Sequence, residues 1–237
     1  QHPTELVVSL DLWNQLSDRT FQEIESYHRF NPLRAGMPRE ELKSRLATGL
    51  AGYKVSARLF NSILRKFVSD KFLEEIGPLV RKSGHSIRFS PSQQKKVDTL
   101  LAKFAGTPFA PPTIKECHAE AGEDITTALV ELGELVAVSP EVVFHRIDYD
   151  HMVADIRQMI EVHGVITAAE VRDHFNTSRR YVLALLEHLD ASGITAREGD
   201  ARRLKRDTGD RNPVAESRSR GQNSSDESGQ KPSDESG

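Results

Sequence analysis

The chain has 237 residues, of which 37% are hydrophobic and 28% are charged, and its formal net charge is -3. That length suits two to four small domains. No apolar run approaches the roughly 18 residues that a membrane helix needs, and no signal segment opens the chain. The single cysteine, Cys117, excludes an internal disulfide. We therefore expect a cytoplasmic protein without a membrane segment, and the start at Gln1 favours a piece of a longer protein.

Residues 1–16 combine a short apolar stretch with Leu12, Trp13 and Leu16. This pattern predicts the last strand of a preceding domain and a connector. Residues 17–90 then form a first copy of a repeated pattern. Its first helix ends before Pro32, a short helix begins at Pro38, and a longer helix follows Ser56. We predict that a hairpin over residues 79–89, turning at residues 82–84, closes this copy.

The same order of elements recurs twice. Residues 91–148 predict helices over 92–104, around Ile114 and from Glu123, then a hairpin over 136–147. Residues 149–206 predict a helix that stops at His163-Gly164, a short helix that begins with the capping-box spacing of Thr167 and Glu170, a longer helix after residue 178, and a hairpin turning at residues 198–200.

The three copies share a register of about 60 residues, because Phe72, Leu135 and Ile194 each follow the last helix of a copy. Three helices and a hairpin per period indicate a tandem array of winged helix-turn-helix domains, mostly α with small β-hairpins, in the α+β class. One large helical bundle is the alternative, but it leaves the hairpins unexplained. Units of this size are marginal alone, so we expect neighbours to pack pairwise.

After residue 206 the composition changes. Residues 207–237 hold almost no large apolar side chain, and the sequence SDESG occurs at 225–229 and again at 233–237. This segment has four basic and seven acidic residues, and we predict a disordered acidic tail.

Charge differs sharply between the copies. Residues 38–89 hold eleven basic and five acidic residues, residues 113–147 hold two and seven, and residues 177–206 hold seven and four. The acidic middle copy would repel phosphate, which favours a spacer or a protein contact. The cations of the first copy are scattered over two helices, and the sequence leaves open whether they form a solvated face or a second nucleic-acid contact.

The cations of the third copy lie where a winged helix meets nucleic acid. Arg179 and Arg180 occupy the first turn of the third helix, where the helix dipole disfavours a cation by roughly 0.3–1 kcal/mol. An incoming phosphate would reverse that sign. The remaining cations follow on the predicted wing: Arg197, Arg202, Arg203, Lys205 and Arg206. A solvated polar face is the alternative, but the two groups together favour nucleic-acid binding.

Catalytic motifs are absent from the sequence. The stretch 49–52 reads GLAG and lacks the lysine and hydroxyl of a phosphate loop, and no Gly-x-Ser-x-Gly occurs. Cys117 and His118, with His145 and His151, lack a second cysteine for a zinc site, and Cys117 is better explained as a small core residue. We therefore expect no catalytic residue, no metal and no cofactor in this chain.

Two segments resemble a known family. Residues 27–42 read YHRFNPLRAGMPREEL, and residues 177–181 read TSRRY, followed by LLE at 185–187, LD at 189–190 and GDAR at 199–202. In this order they resemble the C-terminal winged-helix arm of SelB, the bacterial selenocysteine-specific elongation factor. The resemblance extends over residues 5–206. The acidic tail is not part of it.

The resemblance implies a parent protein whose GTPase and tRNA-binding region, with its GTP and Mg²⁺, precedes this chain. It implies that the last winged helix binds a hairpin in selenoprotein mRNA, the SECIS element, and thereby tethers the factor for selenocysteine insertion at UGA. Ribosome and selenocysteinyl-tRNA would be partners of the parent. The implied RNA-binding residues are Thr177, Ser178, Arg179, Arg180, Tyr181, Arg197, Arg202, Arg203 and Lys205. Tyr181 either stacks on a base or packs half-buried.

Two other functions remain open at this stage. A winged-helix transcriptional regulator would dimerise on a DNA palindrome, whereas this chain has three unlike copies and is expected to be a monomer. A winged-helix protein–protein adaptor would suit the acidic middle copy and would need no basic wing.

Overall fold

A computed structural model describes residues 7–49 and 55–205. There the elements form three winged helices in chain order. The first winged helix (residues 10–82) consists of α1 (Leu10–Phe30), β1 (Met37–Pro38), α2 (Arg39–Gly49), α3 (Ala57–Ser69), β2 (Leu73–Ile76) and β3 (Leu79–Lys82). The second (residues 91–145) consists of α4 (Pro91–Gly106), α5 (Ile114–Ala121), α6 (Glu123–Glu131), β4 (Leu135–Ala137) and β5 (Val143–His145). The third (residues 146–204) consists of α7 (Arg146–His163), β6 (Ile166–Thr167), α8 (Ala168–Phe175), α9 (Arg179–Ala191), β7 (Thr195–Glu198) and β8 (Ala201–Leu204).

Each winged helix carries a small antiparallel sheet. The strand order is β1-β3-β2 in the first and β6-β8-β7 in the third, whereas the second has the pair β4-β5 and an isolated bridge between Thr113 and Val142. The α+β class and the tandem winged-helix architecture are therefore confirmed. The short strands β1 and β6 were not predicted, because strands of two residues are too short to show an alternating pattern.

Three clusters of buried side chains form the core. One belongs to the first winged helix, and a second fills the second winged helix. The third cluster combines the third winged helix with Val138, Val142 and Phe144 from the preceding hairpin. The second and third winged helices therefore share a core, as the predicted pairwise packing requires.

The segment 27–42, which carried the resemblance, lies in the first winged helix and packs against the second. Leu33 is buried in the core of the second winged helix, and Met37 is buried in that of the first. Glu131 of α6 accepts hydrogen bonds from the Arg34 guanidinium at 3.3 Å and from the Ala35 amide at 2.5 Å. One acidic side chain of the second winged helix is therefore a contact to its neighbour in the same chain.

The predicted connector is wrong over residues 10–16. The Ser9 hydroxyl accepts a hydrogen bond from the Leu12 amide at 3.2 Å and so begins α1 at Leu10. Leu16 is fully buried, and Leu12 and Trp13 pack against the same core. These residues therefore belong to the first winged helix. The apolar residues at 6–10 indicated a strand, and the helical spacing of Leu12, Trp13 and Leu16 was too short to show a helix by itself.

Two further boundaries differ from the prediction. The first hairpin turns at Gly77-Pro78, where Gly77 has a φ of 55°, and not at residues 82–84. The predicted boundary at residues 148 and 149 falls inside α7, because Ile147 belongs to that helix and not to the preceding hairpin. In both places apolar residues continue beyond the end of the strand, so the apolar pattern alone did not show where the hairpin ends.

The predicted tail at residues 207–237 lies outside the described residues, as do residues 1–6, the GLAG stretch from Leu50 onward and Arg206. Within the described ranges, none of the helices has the length and apolar character needed to cross a membrane.

The close approach of β1 to β3 yields a stability prediction. A Cβ at Gly36 would lie 2.8 Å from the Val80 carbonyl oxygen and 3.2 Å from the Leu79 Cβ. Gly36→Ala should therefore lower the free energy of unfolding by about 1–3 kcal/mol, measured by urea denaturation. Gly106→Ala is the control, because its Cβ would have no neighbour within 4 Å, and it should stay within about 1 kcal/mol of wild type. Equal losses in both variants would contradict the close approach.

A stacked histidine pair joins His28, in the segment 27–42, to His85. The rings of His28 and His85 are 3.6 Å apart between centroids, His28 Nε2 accepts a hydrogen bond from the Lys82 amide at 3.3 Å, and His85 Nε2 lies 3.0 Å from the Arg34 carbonyl. Burial, together with the charges of His85, Arg81 and Lys82, lowers the pKa of His28 from 6.5 to about 4. The fold therefore holds His28 neutral.

A pKa depressed by folding stabilises the fold above the ordinary value of 6.5, and that stabilisation is lost as the pH falls toward about 4. We expect the Tm difference between wild type and His28→Gln to narrow as the pH is lowered from 7 to 4, measured by circular dichroism. A Tm difference that stayed constant over this range would contradict the neutral, half-buried state of His28.

Candidate nucleic-acid interface

Helices α8 and α9 form the helix-turn-helix of the third winged helix. The Thr167 side chain and Glu170 form a reciprocal capping box that begins α8, and Asn176 ends that helix in the left-handed conformation, with a φ of 46°. Helix α9 then buries Val182, Leu185, Leu186 and Leu189, as the sequence predicted. Arg179 and Arg180, the first two residues of α9, are exposed.

The residues that precede α9 do not cap it with a side chain. Ser178 occupies the N-cap position, but its hydroxyl accepts no hydrogen bond from the helix. The Thr177 hydroxyl instead donates a hydrogen bond to the Phe109 carbonyl of the second winged helix. The first turn of α9 contains no acidic residue. Its backbone N–H groups and positive helix dipole therefore favour an anionic ligand.

Arg179 and Arg180 make different contacts. The Arg180 guanidinium lies 4.7 Å from the Tyr181 ring centroid, and its Nη2 donates a hydrogen bond to the Tyr181 hydroxyl at 2.8 Å. Arg179 is exposed and lines a cleft. Among the described residues it has no carboxylate partner. Only one of the two first-turn arginines is thus free for a ligand in the cleft.

The cleft lies between the start of α8, the outer face of α9 and the wing, and has a volume of about 340 Å³. Four arginines and two carboxylates stand among its lining residues: Arg172, Arg179, Arg197, Arg202, Glu187 and Asp200. A volume of this order suits a small organic group. The mixture of guanidinium and carboxylate groups can bind phosphate oxygens and can also accept hydrogen bonds from ring N–H groups.

The register of the wing determines which cations reach the cleft. Arg197 of β7 lies directly opposite Arg202 of β8, so both side chains lie on the same face of the hairpin. Arg197 is exposed, and its Nε donates a hydrogen bond to the Gly199 carbonyl at 3.0 Å. Arg203 lies on the opposite face, paired with Glu198 at 3.2 Å, and Lys205 is exposed just after β8.

The structure corrects the expectation that Arg202 is an exposed wing cation. Arg202 is only 4% exposed, and its Nε lies 3.3 Å from Asp190 Oδ2. The Thr195 hydroxyl donates a hydrogen bond to the other oxygen of Asp190 at 2.5 Å. Asp190 thus joins the end of α9 to both wing strands. The charge of Arg202 is already paired, so we assign this residue to the support of the wing.

Tyr181 is also unavailable as a platform for a base. It is only 9% exposed, and its hydroxyl donates a hydrogen bond to the Pro111 carbonyl at 2.9 Å. The packing alternative is therefore the one that the structure shows. Arg172, Glu187 and Asp200 line the cleft and were missed. Arg172 lies on α8, outside the segment whose charge was counted, and solvent-facing carboxylates give no periodic signal.

The other two winged helices present less available charge. In the first, four of the scattered cations form ion pairs with carboxylates: Arg39, Lys43, Arg45 and Lys66. This favours the solvated-face interpretation. In the second, Cys117 is buried in the core, and burial raises the pKa of its thiol to about 11. Within residues 7–49 and 55–205, no cluster of three or more histidine, cysteine or acidic side chains has a geometry suited to a metal ion.

Comparison with known proteins agrees with the fold. Residues 21–81 and residues 157–204 each match a family model described as elongation factor SelB, winged helix. The selenocysteine-specific elongation factor of Desulfomicrobium baculatum is 24% identical over 205 residues, which are 84% of this chain and 32% of that protein. The chain thus spans about a third of the length of this curated relative.

Two solved structures are also similar. The mRNA-binding domain of elongation factor SelB from E. coli, in complex with SECIS RNA, has a TM-score of 0.42 and 22% identity, and covers 50% of this chain and 100% of its own. The bacterial selenocysteine-specific elongation factor EF-Sec has a TM-score of 0.44 and 18% identity, and covers 81% of this chain and 30% of its own.

Three winged helices in tandem, with a cationic cleft in the last, define a tandem winged-helix protein. Winged helices at the first and third positions match models of one family in the same chain. The chain therefore carries winged-helix domains of the elongation factor SelB type at these two positions.

The pairing of Arg202 yields a stability prediction. Arg202→Ala leaves Asp190 with its Thr195 contact but without its cation, and should lower the free energy of unfolding by about 1–3 kcal/mol. Arg203→Ala on the neighbouring position removes an exposed ion pair and should change it by less than about 1 kcal/mol. Urea denaturation of the two variants compares them directly. If Arg202→Ala is as stable as Arg203→Ala, the pairing of Arg202 with Asp190 does not stabilise the wing.

Proposed function

We propose that this chain binds an RNA hairpin in mRNA, the SECIS element, through the cleft of its third winged helix. The observation that carries the proposal is that Arg179 and Arg197 line this cleft without a carboxylate partner among the described residues. The two matches to SelB winged-helix models support the class of ligand. Lys205, just beyond β8, adds a further exposed cation for the backbone of the RNA.

The chemistry of binding follows from the shape of RNA. The major groove of an A-form stem is too narrow for a helix to contact the bases, so α9 is expected to direct its first turn at backbone phosphates. The guanidinium groups of Arg179 and Arg197 would donate paired hydrogen bonds to phosphate or to a base edge. Glu187 and Asp200 would disfavour a bare phosphate deep in the cleft and favour a group that bears N–H donors.

The parent protein would supply the rest of the activity. The curated relative is a selenocysteine-specific elongation factor about three times as long as this chain. We propose that this chain tethers such a factor to mRNA in the cytoplasm, as a monomer, without binding or hydrolysing GTP and without a cofactor of its own. The ribosome and selenocysteinyl-tRNA would be partners of the parent.

The test is a binding titration of the whole chain against a SECIS-type RNA hairpin, a scrambled hairpin and a DNA duplex of matching sequence. Arg179→Ala and Arg197→Ala should each weaken the hairpin complex by about 1–3 kcal/mol if the arginine contacts a base. If the arginine contacts only phosphate, the loss should be smaller, equal for scrambled RNA, and accompanied by a shallower dependence on salt.

Arg65→Ala is the matched control, because Arg65 is an exposed arginine on α3, the corresponding helix of the first winged helix. It should leave hairpin affinity unchanged. Tighter binding to the DNA duplex would favour a transcriptional regulator instead. Absence of binding to any nucleic acid would leave the protein–protein adaptor. Equal losses in Arg65→Ala and Arg179→Ala would contradict the proposed cleft.

A further inference from the structure

The loop between α4 and α5 of the second winged helix lies against the start of α9. The Thr177 hydroxyl donates a hydrogen bond to the Phe109 carbonyl, and the Tyr181 hydroxyl donates one to the Pro111 carbonyl at 2.9 Å. The Phe109 ring packs against Phe175 at 4.9 Å between centroids. Two side chains of the third winged helix, just before and inside the first turn of α9, are thus bonded to backbone of the second.

Arg180 extends these contacts. Its guanidinium covers the Tyr181 ring and donates a hydrogen bond to the hydroxyl that Tyr181 uses for Pro111. Arg180 also lies near α5. The pKa of Glu116 is below its ordinary value, chiefly because Thr113 donates hydrogen bonds to the carboxyl, with a smaller contribution from the Arg180 charge. Arg180 therefore faces the second winged helix, whereas Arg179 lines the cleft.

These contacts are costly to break. The Tyr181 hydroxyl and the Pro111 carbonyl form a buried hydrogen bond, and an unsatisfied buried polar group is strongly disfavoured. The Tyr181 ring packs 6.2 Å from Phe144, a residue of the second winged helix that is fully buried in the shared core. The start of α9 is therefore fixed by polar and apolar contacts together.

We infer that Thr177, Arg180 and Tyr181 are positioning residues for RNA binding, and that they hold the first turn of α9 against the second winged helix so that Arg179 projects into the cleft. We call these three side chains, with the carbonyls of Phe109 and Pro111, the α9 latch. This inference rests on the proposed function. It differs from the expectation that the three residues contact RNA themselves.

The geometry of a helix explains why a latch would matter. Consecutive side chains on a helix are separated by about 100° around its axis, so a rotation of the first turn would move Arg179 out of the cleft and Arg180 toward it. Binding sites require that their side chains be held within about 0.5 Å by supporting contacts. Residues 177 and 181 lie on either side of Arg179, and their two hydrogen bonds fix that rotation.

Affinity of the full 237-residue chain for the RNA hairpin is the measurement. Tyr181→Phe removes only the hydroxyl and should weaken binding by about 3- to 30-fold, the range of couplings through supporting contacts. Tyr149→Phe is the matched control, because Tyr149 is also nearly buried in the third winged helix but lies outside the latch. It should leave affinity unchanged. Wild-type affinity in Tyr181→Phe, with folding intact, counts against the latch.

Arg180→Lys separates positioning from direct contact. Lysine keeps the charge but loses the planar group that covers the tyrosine ring and donates to its hydroxyl. A positioning role predicts that Arg180→Lys weakens hairpin binding about as much as Arg180→Ala does. If Arg180→Lys restores most of the affinity, the residue contacts phosphate directly and the latch is wrong.

A double-mutant cycle tests whether the latch acts through Arg179. In an Arg179→Ala background, Tyr181→Phe should cause no further loss of hairpin affinity, because its effect is transmitted by that arginine. Full additivity would overturn the inference. If Tyr181→Phe fails to fold by circular dichroism, Thr177→Val removes the other hydroxyl and serves in the same cycle.

The two proposals fail in different ways. If the wild-type chain does not bind the hairpin, the proposed function is wrong, and the latch as a positioning device for RNA is wrong with it. If the wild type binds, and both Tyr181→Phe and Thr177→Val bind equally well, the latch alone is wrong.

Discussion

The hairpin β4–β5 of the second winged helix contributes to two cores, and the geometry of the candidate site depends on it. Because strand residues alternate between faces, Leu135 and Val143 are buried in the second winged helix, whereas Phe144 is buried in the third. One short hairpin thus lies between two domains and contributes side chains to both cores. The core of the third winged helix includes side chains of this hairpin, and the loop that contacts the start of α9 belongs to the same neighbouring domain.

This arrangement explains why three similar folds differ in available charge. The second winged helix contacts both of its neighbours. Glu131 accepts hydrogen bonds from Arg34 and Ala35 of the first winged helix, and the Phe109 carbonyl accepts one from Thr177 of the third. The first pairs many of its cations internally. In the third, the outer face of α9 and one face of the wing remain open, and a helix N-terminus, free arginines and a cleft coincide there.

Much of the fold was predictable because it depends on local pattern. The order of helices in all three copies, the capping box at Thr167 and the last hairpin turn were predicted from apolar spacing and turn residues, and the structure confirms them, although α1 begins earlier than predicted. The site was predictable only as a region. Neither the burial of Arg202 nor the divergence of Arg179 and Arg180 leaves a trace in the sequence. The first depends on how the wing packs against the end of α9, and the second depends on the contact of Tyr181 with Pro111 of the preceding winged helix.

We propose that RNA binds this chain at the cleft of the third winged helix. Amide hydrogen exchange of the whole chain, with and without the RNA hairpin, shows which segments the RNA covers. We expect added protection in the first turn of α9 and along β7 and β8, with little change in α3 and in the hairpin of the first winged helix. Protection that appeared at α3 and β2–β3 instead, with none at α9, would contradict it.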